Sequence, residues 1–170
     1  MVLTEEDIKR LKDTSFSVPR YEPHINLCEV GMSGQKKISE SSVLVVGAGG
    51  LGCPVLLYIV AAGIGKIGII DEDCISHSNL QRQTLYGTED INFSKVDIAK
   101  KKLSELADLR YQKIETYNCF LNEDNAEKII KTYDYVVDAT DNFKARKLIN
   151  KICYKLAKPW VYASASRYQA

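Results

Sequence analysis

Apolar residues fall in short blocks along this chain, and the spacing within the blocks changes from one to the next. Residues 3–13 put Ile8 and Leu11 on one face of a short helix, with Thr4 and Asp7 in capping-box positions, and Pro19 ends that piece. Residues 20–40 are mixed, with Gly31 and Gly34 as breakers before a short helical run to Ser39. From Val43 the pattern sharpens. VLVVG (43–47) is a β-branched apolar run closed by glycine, as in a strand buried on both faces. Residues 51–62 are apolar over a helix length and stop at Gly63. KIGIID (66–71) reads as a second strand. Residues 94–108 carry Val96, Ala99, Leu103 and Leu106 at helical spacing with lysines opposite. KIETYNCF (113–120) alternates like a strand, and NEDNAEKIIKTY (122–133) reads as an Asn-capped helix. YVVDAT (135–140) is another buried strand, residues 142–156 are helical, and PWVYAS (159–164) begins a further strand.

Strands alternating with helices predict an α/β fold: a Rossmann-like, doubly wound, mostly parallel sheet with helices on both faces. Residues 1–40 read as an N-terminal helical arm, and residues 41–170 as the nucleotide-binding domain. Such sheets bind ligands outside the carboxyl ends of their strands. That rule selects the turn after Val46, the segment after Ile70 and the loop after Val137.

Each of these places carries unusual residues. Gly47, Gly49 and Gly52 match G-x-G-x-x-G between a strand and a helix, where glycine lets backbone amides approach a phosphate. A tight turn that binds nothing is the plain alternative. Asp71 follows Gly52 by 19 residues, close to the spacing of a ribose-binding acid, and would serve the ribose of NAD or of ATP equally. Asn79, Gln81, Arg82 and Gln83 form a polar cluster, and Lys95 follows Arg82 by thirteen residues. Cations beside a phosphate cradle suit a triphosphate better than a dinucleotide, whose single pyrophosphate the glycine turn already serves. Solvated surface charge is the plain alternative. Asp138 and Asp141 end the fourth strand, and a carboxylate there suits Mg²⁺ on phosphates, with Asp141 the better placed. Asp138 alternatively caps a turn, and Asn142 alternatively caps the next helix.

Composition narrows the class. A hydrophobic fraction of 45% argues for a globular protein. Lys+Arg 23 against Asp+Glu 22, net +1, lacks the basic excess that nucleic-acid or membrane binding calls for. The N-terminal MVLTEEDIKRLKD has no apolar core of a signal peptide, and no run of about 18 apolar residues predicts a membrane span. Five scattered cysteines, none in C-x-x-C, fit a reducing, cytoplasmic setting and give no zinc-ligand pattern. Most of them read as small buried hydrophobes.

Taken in order, RYEPHINL…VGMSGQKKI, VLVVGAGGLGCP, IGIIDEDCISHSNLQRQ, SKVD and VVDATDN resemble the ThiF/MoeB/HesA proteins, relatives of the ubiquitin-activating enzymes. The resemblance runs from about Arg20 to the end. It implies an adenylyltransferase that uses Mg-ATP to activate the C-terminal glycine carboxylate of a ubiquitin-like sulfur carrier, in thiamine or molybdopterin biosynthesis, with release of pyrophosphate. Carried onto this chain, it implies Gly50 in the phosphate turn and Asp71 on the ribose. Ser78, Asn79, Gln81 and Arg82 lie near the phosphates, with Lys95 reaching them. Asp141 is on the metal beside Asn142, and Arg20 crosses from the partner subunit of a homodimer. The main work is then positioning and electrostatic stabilisation. Two departures stand out. Pro23 and His24 replace the family's second arginine and glutamine. The chain also stops at RYQA (167–170), where the family adds strands, C-x-x-C zinc motifs and in many members a transfer cysteine. The expectation is therefore the N-terminal portion of a longer enzyme, with any structural zinc in the longer form. Three other readings use the same turn: an NAD-dependent oxidoreductase, a non-catalytic nucleotide-binding module, and a tRNA-modifying dehydratase of the same superfamily.

Overall fold

The computed structural model describes residues 15–165, so the helix expected over 3–13 lies outside the described residues. Five strands, β1 (Ser42–Val46), β2 (Lys66–Ile70), β3 (Lys113–Tyr117), β4 (Tyr135–Asp138) and β5 (Trp160–Tyr162), make one all-parallel sheet in the order β3-β2-β1-β4-β5. The helices are α1 (Val18–Ile25), α2 (Gly31–Glu40), α3 (Gly52–Ala62), α4 (Lys95–Leu106), α5 (Ala126–Ile130) and α6 (Phe143–Lys155). The doubly wound expectation holds. Between β3 and β4 the chain crosses back past β2 and β1, so the strand order reverses beside β1 and opens a crevice at its carboxyl end.

Alternation along the central strands builds the two layers. Val43, Val45, Ile67 and Ile69 face α3 and α4 and pack with Leu56, Val60, Val96 and Leu103. Leu44, Val46, Ile70 and Val136 face the other way, toward α5 and α6, and pack with Ile130, Ile149 and Ile152. Each fully buried aliphatic side chain contributes about 1.5–3 kcal/mol, so the sheet has a core on both faces. Gly68 in β2 admits the buried Tyr133 ring, whose Cζ lies 2.4 Å from where a Cβ would stand. The Tyr133 hydroxyl donates to Glu115 at 3.0 Å. The hydrogen bond from Lys113 is the chief cause that holds the Glu115 carboxyl down to about 2, with Tyr133 and Lys66 adding to it against partial burial.

The N-terminal arm differs from its sequence reading. Pro19 stands in the first turn of α1, where a missing amide costs nothing. Gly34 is not a breaker. Gly31 begins α2 at φ +58, and Gly34 makes room for the Val30 side chain. The arm docks on the carboxyl ends of α3 and α4. Tyr21 packs where Gly63 has no side chain, and Gln35 Nε2 donates to the Ala62 carbonyl at 3.0 Å. Three other elements are shorter than predicted. β3 stops at Tyr117 and β4 at Asp138. α5 begins only at Ala126, because the Asn122 and Asn125 side chains first close a turn on backbone amides.

Among the described residues, no helix is long and apolar enough to cross a membrane.

Candidate functional site

The glycine turn joins β1 to α3 at the crevice. Gly47 takes φ +97, and a Cβ there would meet the Ala139 carbonyl oxygen at 2.8 Å, so the turn lies directly against the loop after β4. Gly52 approaches the Gly47 carbonyl so closely that a Cβ would stand 2.0 Å from that oxygen. Three side chains fix the turn from below. Asp71 Oδ2 accepts the Ala48 amide at 2.7 Å, the Tyr86 hydroxyl donates to the Ala48 carbonyl at 2.9 Å, and the Cys53 thiol lies on the same carbonyl. Burial pushes the Cys53 thiol up, so this cysteine is a packing residue and not a nucleophile. Above the turn, the amides of Gly49, Gly50 and Leu51 have no acceptor among the described residues. They open the N-terminus of α3, where backbone donors and the helix dipole favour an anion.

The polar segment after β2 folds over this opening. Ser76 starts a short 3₁₀ turn, His77–Asn79, and its amide donates to Asn79 Oδ1 at 3.1 Å. Ser78 and Ser76 share a hydroxyl contact at 3.0 Å, and Ser78 also offers its carbonyl to the Arg82 guanidinium at 3.1 Å. The Arg82 stem lies on Gly50, its Cγ and Cδ 3.3 Å from where a Cβ would stand. Gln81 is exposed beside it. Gln83 is buried, and its Oε1 has no hydrogen-bond partner.

Lys95 and Asp71 meet on the β2 side. The Lys95 ammonium is buried, donates to Asp73 Oδ2 at 2.6 Å and lies 3.9 Å from Asp71 Oδ1. Asp71 Oδ1 also takes the Asp73 amide at 2.8 Å. Lys95 thus sits beside the two aspartates that follow β2. On the β4 side Asp138 is fully buried, and its Oδ1 accepts the Thr140 amide and hydroxyl. Asp138 is therefore the turn former, as its alternative reading had it. Asp141 is exposed, and Asn142 caps α6 by accepting the Lys144 and Ala145 amides at 2.9 and 3.2 Å. The described residues hold no group of three or more metal-ligating side chains. An exposed carboxylate such as Asp141 suits Mg²⁺, which takes one or two carboxylates and leaves its other positions to phosphates and water.

Arg20 is elsewhere. Its guanidinium donates to the Leu106 carbonyl at 2.7 Å, at the end of α4 opposite Lys95. At about 1.5 Å per residue the two ends lie roughly 16 Å apart, so within one chain Arg20 does not join the other site residues. The cysteines also divide: Cys53 and Cys153 are buried, whereas Cys28 and Cys74 are exposed and depart from the buried reading.

Two features escaped sequence reading. A groove of about 280 Å³ runs between the loop after β3 and α6, floored by Leu121, Ala145 and Leu148 and rimmed by Phe120 and Lys144. It follows β3, whose last residue, Tyr117, offers its carbonyl to the Asp71 amide. Extending β3 to residue 120 hid this loop. The second feature is Arg146, which reaches back to Asp138 from α6 and has no linear motif to mark it.

A ThiF family model matches residues 21–170. The chain is 43% identical over 155 residues to the sulfur carrier protein adenylyltransferase of Thermus thermophilus, covering 91% of this chain and 56% of that protein. It is 47% identical over 148 residues to the adenylyltransferase and sulfurtransferase MOCS3 of Culex quinquefasciatus, covering 87% of this chain and 33% of that one. The chain thus spans between a third and somewhat over half of these relatives. Among solved structures, the E. coli tRNA N6-threonylcarbamoyladenosine dehydratase TcdA superposes with a TM-score of 0.80 at 20% identity, over 97% of this chain and 64% of that one. E. coli MccB solved with ATP gives 0.76 at 25% identity, over 96% and 52%. The glycine turn, the segment folded over it and the matched family model together assign the chain: it belongs to the ThiF family.

Proposed function

We propose that this chain is the nucleotide-binding part of an adenylyltransferase that activates the C-terminal glycine carboxylate of a ubiquitin-like sulfur carrier. The observation that carries the reading is Arg82 lying over Gly50, beside three open amides and within reach of the crevice that Asp71 borders. That arrangement suits a triphosphate, and relatives over 40% identical are named adenylyltransferases. Asp71 receives the ribose, and the amides of Gly49 to Leu51 the phosphates. Arg82 stabilises charge that grows on the phosphate oxygens as the carboxylate attacks the α-phosphorus and pyrophosphate leaves. Asp141 would hold magnesium, which when bound neutralises phosphate charge. The unpaired cysteines fit a cytoplasmic protein.

Ligand-dependent melting tests the nucleotide. Mg-ATP at about a hundred times its dissociation constant should stabilise the fold by about 2.7 kcal/mol, while NADH leaves the midpoint unchanged. The reverse pattern would identify an oxidoreductase. Pyrophosphate exchange that depends on a carrier ending in glycine supports the sulfur-carrier substrate. Exchange driven by a small carboxylate on tRNA would favour the dehydratase chemistry, and binding without exchange a non-catalytic module.

In this reading the protein is a homodimer and Arg20 acts on the nucleotide of the other subunit. Arg20→Ala and Asp141→Ala should each be inactive alone. Mixed and allowed to exchange subunits, they should regain about a quarter of the wild-type sites, because half of the dimers then hold one complete site. No recovery on mixing would place Arg20 outside the site.

A further inference from the structure

Arg146 lies on the second turn of α6, outside the glycine turn, the segment over it and the groove. Its Nε lies 3.3 Å from Asp138 Oδ2, and its terminal nitrogen donates to the Thr140 carbonyl at 3.1 Å. Its guanidinium also faces the Tyr162 ring, 4.5 Å from the centroid, and Tyr162 stacks on Trp160. One side chain therefore touches the end of β4, the loop after it and the end of β5. The loop between these contacts carries Ala139, whose carbonyl abuts Gly47, and Asp141.

Stability alone is a poor reason for this cluster. A buried ion pair replaced by well-packed apolar groups is often neutral or stabilising, because two charges must be desolvated to make it. A planar fork with two acceptors, stacked on an aromatic ring, fixes direction in a way an apolar contact does not. What it directs is the Thr140 carbonyl, one residue before Asp141.

We propose that Arg146 is a positioning residue, which holds the turn at 139–142, and with it Asp141, against the glycine turn, and which couples that turn to the end of β5 through Tyr162. The proposal rests on the adenylyltransferase reading for the role of Asp141, but the brace itself is tested without nucleotide. Hydrogen exchange of the backbone over 139–142 should quicken at least about tenfold in Arg146→Lys, which keeps the charge and loses the fork, with exchange in β2 and β3 unchanged. Tyr162→Leu should move the same segment in the same direction by less. In pyrophosphate exchange, Arg146→Lys should lower kcat by about tenfold to a hundredfold, as small misplacements do, and raise the magnesium concentration for half-maximal rate, while KM for ATP changes little.

Unchanged exchange at 139–142 in both variants would overturn the brace. A loosened turn with an unaltered magnesium requirement would also overturn the proposal, leaving Arg146 a purely structural residue. If the wild-type protein neither binds Mg-ATP nor catalyses exchange, the adenylyltransferase reading fails while the hydrogen-exchange result still decides the brace. Should Arg146→Lys fail to fold, Tyr162→Leu carries both measurements.

Discussion

Arg82→Ala is expected to slow pyrophosphate exchange by about a hundredfold to a thousandfold, the usual effect of removing one preorganised donor from a developing oxyanion. The fold should be little affected. Arg82 is exposed, and its guanidinium makes one hydrogen bond, to the Ser78 carbonyl of its own turn. An exposed side chain of this kind changes stability by no more than about 0.5 kcal/mol when removed. The argument for a large catalytic effect is geometric. Its stem lies across Gly50, so the charge is held above open amides and not left to sweep through solvent. Arg82→Lys should recover part of the rate, since the charge returns without the fork. Asp141→Ala should give a comparable loss that added magnesium partly offsets. Wild-type exchange rates in Arg82→Ala, with the melting midpoint unmoved, would make this arginine a solvated surface charge after all.

Gly52→Ala should fail in a different way. A Cβ there meets the Gly47 carbonyl at 2.0 Å, and both partners are backbone, so no side chain can swing aside. The start of α3 must move. Overpacking of this kind costs about 1–3 kcal/mol and should lower the melting midpoint by roughly 5 °C in a domain of this size. Stabilisation by Mg-ATP should vanish with it. Gly49→Ala is the control. Its Cβ would meet Gln83 Nε2 at 3.6 Å, an ordinary contact, so the fold should survive while the methyl group intrudes where a phosphate approaches. Two alanines three residues apart then separate the packing role of the glycine turn from its binding role. A Gly52→Ala protein that melts with the wild type and still responds to Mg-ATP would refute the close approach.

The sheet was legible because its central strands, β1 and β2, are short apolar runs bounded by glycine, aspartate and lysine and buried on both faces. VLVV and KIGII are β-branched and apolar almost throughout, the mark of such a strand. The glycine turn and Asp71 were legible because their spacing is local. What escaped depends on distant residues meeting. Nothing near Arg146 in the chain says that it faces Asp138, eight residues back across a turn, or Tyr162 on the next strand. Residues 118–120 continue an alternating pattern, yet Ile70 pairs with Tyr117 at the end of the ladder, so they leave the sheet, and Phe120 lines the groove. Gly34 was misread as a breaker because its use depends on a neighbour: it lies within α2, where it makes room for the Val30 side chain.

Asp71 has a consequence for how its own importance is measured. Its two oxygens already hold the Ala48 and Asp73 amides before any nucleotide arrives. In the proposed reading, ribose recognition and the shape of the glycine turn share one carboxylate, and any substitution there disturbs both at once. The separate worth of the sugar contact is better read by editing the ligand. ATP lacking its 2′- or 3′-hydroxyl leaves the turn intact and removes only the interaction in question.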